Sequence, residues 1–143
     1  MSWDLMIFDF KGSPIPLDEI PDDFRPAAMG SASEIRQRIS DHLPGIDWSD
    51  PTWGDYQGDG FSIEFNMGNN EIPDSIMLHV RGGGDAVKAI MAFAGPNNWS
   101  VLDTSLGDYL DADNLDESGW ISFQKYRDRI IDEVASKDRG HNT

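Results

Sequence analysis

Cysteine is absent from this 143-residue chain, which excludes a disulfide framework and any zinc site built on thiolates. Histidine is scarce too, at three residues, and no HExxH pair occurs. Metal centres and acid–base schemes built on imidazole therefore have little to draw on. No apolar run approaches the ~20 residues that cross a bilayer. The start of the chain shows no basic region followed by a long apolar segment, so no signal peptide is expected. Together these absences fit a cytoplasmic protein. At this length one domain, residues 1–143, is expected, with enough chain for a real core.

Positive charge is the scarcity with the widest consequence. There are 11 Lys and Arg against 26 Asp and Glu, a net charge of -15. Such a surface repels nucleic acid and anionic lipid, so no nucleic-acid or membrane partner is expected. Between Arg38 and Arg81 there is no Lys or Arg, while Asp41, Asp47, Asp50, Asp55, Asp59, Glu64, Glu71 and Asp74 fall in the gap. Between Lys88 and Lys125 the pattern repeats with Asp103, Asp108, Asp111, Asp113, Asp116 and Glu117. These stretches read either as a solvated acidic surface or as a docking face for a basic protein.

What is present is clearest in the middle of the chain. From Phe61 to Met67 apolar residues alternate with polar ones, the period of a strand with one buried face. After the loop at Gly68 to Pro73 the alternation resumes, with Ile76, Leu78 and Val80 facing inward and Ser75, Met77, His79 and Arg81 outward. An antiparallel hairpin follows, in a register pairing Met67 with Ile76, Phe65 with Leu78 and Ile63 with Val80. It also sets Glu64 opposite His79 and Ser62 opposite Arg81; a slip of two residues would keep the faces matched. Gly82, Gly83 and Gly84 form a hinge, Asp85 is placed to cap a helix, and Ala86 to Ala94 is apolar on nearly all sides.

Trp3 to Phe10 is a short, dense apolar run that reads as a central strand covered on both faces. Four prolines in Ser13 to Pro26 exclude a long regular element there, leaving a surface wrap anchored by Ile15, Leu17, Ile20 and Phe24. A helix is predicted over Ser31 to Leu43, with Ser31 and Glu34 as a capping box and Ile35, Ile39 and Leu43 on one face. Trp99 to Thr104 reads as a short strand, Leu106 to Glu117 as irregular with one helical turn around Tyr109 and Leu110. A last helix runs from Asp116 or Ser118 to about Ala135, with Phe123, Tyr126 or Arg127, Ile130, Ile131 and Val134 as its apolar stripe. This order predicts an α+β fold, a ferredoxin-like β-α-β-β-α-β antiparallel sheet with an added C-terminal helix.

Asp47 to Gly60 shows no sustained period and reads as a loop rich in aromatics and aspartates. Trp48, Trp53 and Tyr56 would supply contact area and Asp50, Asp55 and Asp59 electrostatic steering for a protein partner. The competing reading folds the tryptophans onto the core and uses the aspartates to cap turns. Neither Asp55 to Gly60 nor Asp111 to Leu115 has the ligand spacing of a calcium loop, so no metal or cofactor is expected. A second candidate face is the solvent side of the central hairpin, where Glu64, His79 and Arg81 could form an acid–base or small-molecule site. Cross-strand charge pairing explains the same three residues without any ligand. No nucleophile–base motif accompanies them, and no catalytic residue is assigned.

The opening WDLMIFDF, the segment MLHVRGGGD, the Trp99…Asp103 strand and the aromatic helix around Trp120 and Phe123 resemble small acidic bacterial proteins, some grouped with the immunity proteins of polymorphic toxins. That resemblance implies a cytoplasmic, non-enzymatic protein that blocks a basic toxin domain by direct binding.

Overall fold

In a computed structural model of the chain, the residues described are 2–12, 15–105, 107–110, 121, 124, 125, 128 and 129. The elements run β1 (Trp3–Phe8), α1 (Ala32–His42), β2 (Asp47–Asp50), β3 (Trp53–Gln57), β4 (Phe61–Asn66), β5 (Ser75–Gly82), α2 (Ala86–Ala94), β6 (Ser100–Asp103) and β7 (Asp108–Leu110). All seven strands join one antiparallel sheet in the order β2-β3-β4-β5-β1-β6-β7.

The fold is α+β, but the sheet is not the four-stranded ferredoxin-like one that the pattern predicts. The four expected strands lie side by side as β4-β5-β1-β6, and three more extend the sheet at its two edges. Two come from the supposed loop at 47–60. There Trp48 fills the space over Gly54, where a Cβ would stand 2.4 Å from the indole. With glycine at the inward position, no apolar alternation is left to read. The third is β7, where a helical turn is expected at Tyr109 and Leu110. Leu110 instead pairs with Val101 and Tyr109 Oη donates to the Ile15 carbonyl at 3.0 Å.

The hairpin register agrees with the alternation: Ile63 faces Val80, Phe65 faces Leu78, Glu64 faces His79 and Ser62 faces Arg81. One face of the sheet packs on both helices. Its core joins Leu5, Ile7, Ile63, Phe65, Leu78 and Val80 to Ile35, Ile39, Val87, Ile90 and Phe93. Trp3 lies in that layer and donates its indole N–H to buried Asp103 at 3.0 Å. Asp103 also accepts the Ser105 amide and hydroxyl, so its carboxylate is buried with three donors.

Ser31 caps α1 as expected, its Oγ accepting the Glu34 amide at 3.1 Å. Asp85 stands at the N-cap of α2 but its side chain makes no capping bond. With φ -90° and ψ 42°, it lies outside the extended backbone region usual for a cap. The opposite sheet face is closed at one end by aromatics. Phe10 meets Phe8 at 4.7 Å, Phe24 at 5.6 Å and Tyr109 at 6.2 Å between ring centroids, so the proline-rich segment does wrap the surface. Burial there pushes the Tyr109 hydroxyl pKa up. Ile121, Gln124, Lys125, Asp128 and Arg129 are helical, as predicted for the last helix. The stripe residues Phe123, Tyr126, Arg127, Ile130, Ile131 and Val134 lie outside the described residues.

The glycine hinge has a steric reason at Gly82, where φ is +96° and a Cβ would stand 2.5 Å from the Gly60 carbonyl oxygen. Gly82→Ala should therefore destabilise the protein by more than about 1 kcal/mol. Gly12→Ala, with nothing within 4 Å of the added carbon, should stay within about 0.5 kcal/mol of wild type. Urea denaturation of the two variants checks the contrast.

Candidate functional site

Strand alternation carries the polar side chains of β1, β3, β4 and β5 to the sheet face away from the helices. Register then aligns them. Asp47 pairs with Asp55, Asp55 with Glu64, Glu64 with His79 and His79 with Asp4. Five titratable groups thus form one row across five neighbouring strands. Three consecutive carboxylates head the row, an arrangement in which each directly opposed like pair is destabilising.

The far end of the row is knitted together. His79 Nδ1 lies 2.8 Å from Asp4 Oδ1, which also accepts the Ser2 hydroxyl at 2.5 Å. Partial burial pushes the Asp4 carboxyl up, but the hydrogen bonds from Ser2 and His79 and the charges of His79 and Arg81 outweigh it. The pKa falls below its ordinary 3.8. Arg81 pairs with Glu64 Oε1, and Glu64 Oε2 accepts the Trp53 indole N–H at 3.0 Å. The indole stacks on the His79 ring, 5.5 Å between centroids and 15° from parallel. Trp53 is nonetheless 38% exposed.

The near end carries charge without counterions. Asp47, Asp50, Asp55 and Asp59 are exposed, and none forms an ion pair among the described residues. Asp47 and Asp50 cap turns by accepting the hydroxyl and amide of Ser49 and Thr52 respectively, which lowers both carboxyl pKa values. Asp55 accepts the Gln57 amide at 2.9 Å.

The two candidate patches of the sequence are therefore recombined. Trp48 turns to the helix side, packs at 5.6 Å from Phe65 and donates to Ser40 at 2.9 Å. Half-buried Tyr56 packs against Phe61. Trp53 and Asp55 face the other way and join Glu64, His79 and Arg81. Asp4 and Ser2 complete the cluster, and periodicity alone gives no sign of them. Only placing β1 beside β5 in the observed register brings Asp4 opposite His79.

The polar side chains of this cluster bond mainly to one another. The Ser2 hydroxyl donates to Asp4 and not to the imidazole, so no serine–histidine–aspartate relay is set up. No group of three metal-ligating side chains occurs among the described residues. A cavity of about 360 Å³ lies at the start of α1, lined by Ser31, Arg36, Pro51, Thr52, Asn69 and Glu71 among others. The Ser31 hydroxyl and the Glu71 carbonyl already accept the Glu34 and Ala32 amides, so two of the helix's first N–H groups are taken. No helix among the described residues is long and apolar enough to cross a membrane. No family model matches the chain, and no curated protein or solved structure shows significant similarity to it.

Asp4 gives a pH test. A carboxyl with a lowered folded-state pKa contributes stability above its unfolded value, and that contribution disappears as pH falls through the folded value. The Asp4 side chain is 42% exposed, so solvent screening limits the effect to a few tenths to about 1 kcal/mol. Asp4→Asn should lower the urea midpoint at pH 7, and the gap to wild type should close as the pH falls below 3.8.

Proposed function

We propose that the chain is a non-enzymatic, acidic protein-binding module, an immunity protein that neutralises a basic toxin domain by direct contact. The observation that carries this reading is the row of three carboxylates, Asp47, Asp55 and Glu64, set in cross-strand register beside exposed Trp53. A sheet tolerates such repulsion at a cost in stability. A cationic partner relieves it on docking, and the same field steers the encounter. The resemblance of the chain's outline to toxin-immunity proteins supports the same class of partner and a cytoplasmic setting.

A second reading, a small-molecule or enzymatic site around Glu64, His79 and Arg81, draws on the Asp4–His79 pair, which orients an imidazole as acid–base catalysts do. Against it, Glu64, Arg81 and Trp53 satisfy one another.

The immobilised chain should capture a basic protein from its native host, and the doubly charge-reversed Asp55→Lys/Asp59→Lys form should not. Binding of that protein should weaken as NaCl rises from 50 to 500 mM, and Asp55→Lys should slow association about tenfold. Binding indifferent to both salt and charge reversal would refute the proposal.

A further inference from the structure

We infer that the partner's anchor is an arginine, its guanidinium laid against the Trp53 indole and paired with the Asp55 carboxylate. This rests on the acidic-docking reading and assigns the side chain that site takes.

Trp53 is held before anything binds. Its N–H is committed to Glu64 and its ring is stacked on His79, yet 38% of the residue remains accessible. A large aromatic already fixed in its bound rotamer loses little entropy on docking, which is how interface anchors concentrate binding energy. An aromatic face attracts cations through its quadrupole. Guanidinium suits this place better than ammonium because it is planar, stacks on the ring and keeps its N–H groups in plane for a carboxylate.

That carboxylate is Asp55. It lies two residues along β3 from Trp53, hence on the same sheet face, and is exposed. One oxygen accepts the Gln57 side-chain amide, and the other has no hydrogen-bond partner among the described residues. A guanidinium–carboxylate pair already stands beside this ring: Arg81 on Glu64, whose other oxygen accepts the Trp53 N–H. Within the row of Asp47, Asp55 and Glu64, Arg81 pairs with Glu64, and the other two carboxylates have no ion-pair partner among the described residues, which suits them to a cation.

The probes are two short peptides, acetyl-(Gly-Arg)3-amide and acetyl-(Gly-Lys)3-amide, titrated into the full ¹⁵N-labelled chain at low salt. The Trp53 indole N–H resonance should shift saturably, with the arginine peptide binding several-fold more tightly. Trp53→Ala should weaken the arginine peptide about three- to thirtyfold, Trp53→Phe should retain most of the binding and Trp48→Phe all of it. Asp55→Asn should abolish the preference for arginine, a readout that stands even where Trp53→Ala perturbs the fold. Arginine binding unchanged by Trp53→Ala but lost with Asp55→Lys and salt would overturn the anchor while leaving acidic docking intact. Failure of both peptides to bind would overturn the anchor, with the host-protein capture still deciding the wider reading.

Discussion

A strand has two faces and a period of two, so packing Ile63 and Phe65 against the helix layer leaves no freedom in where Ser62 and Glu64 point. Phe65 meets Phe93 of α2 at 5.8 Å between centroids, and Leu78 and Val80 complete the same buried layer. Each such side chain is worth about 1.5–3 kcal/mol on burial. Each opposed pair of like charges costs at most about 1 kcal/mol. The core therefore wins by a wide margin and dictates the charge pattern on the far face, repulsion included.

Matching of faces does not by itself choose the register, because a slip of two residues preserves it. Such a slip could place Glu64 opposite Arg81, electrostatically a better pair than His79. The backbone prevents it at both ends of the hairpin. Gly83 N–H donates to Gly60 at 2.6 Å, and Gly82 lies so close to Gly60 that no side chain fits. At the other end the Met29 and Ala32 amides donate to Pro73 and Glu71, tying the connecting loop to the segment that enters α1. With those ends pinned, Arg81 reaches diagonally to Glu64 while His79 turns to Asp4.

This division explains what was legible in the sequence. The central hairpin, both helices and β1 announce themselves because each carries several inward apolar residues in period, and the Glu64–His79 pairing follows from that periodicity. Strands β2 and β3 do not. Only one large residue per strand turns inward, Trp48 on β2 and half-buried Tyr56 on β3, and Gly54 leaves a gap that Trp48 fills. A glycine whose function is to make room for a tryptophan on another strand has no signature along its own. β7, three residues long, is too short for any period. The Asp85 cap fails for a different reason: the glycine hinge delivers the chain to α2 at a backbone angle where the carboxylate cannot reach back.

A register shift separates the two tryptophans. Asp50 faces Trp53 and Asp47 faces Asp55, with an irregularity in β2 between the two pairs. Without it simple alternation would set Trp48 on the face of Trp53; with it they end on opposite faces of one hairpin. Aromatics near one another in sequence read as a single patch only if the chain between them is loop. Once it is strand, one indole belongs to the core and the other to the surface. Trp48 has its N–H on Ser40 and its ring on Phe65, and gives the edge hairpin its hold on the helix layer. Trp53 contributes nothing to that layer. It stacks on a histidine and bonds a carboxylate across the sheet, beside aspartates that form no ion pair among the described residues. The core does not need this aromatic; its stack on His79 and its bond to Glu64 are what hold it in place.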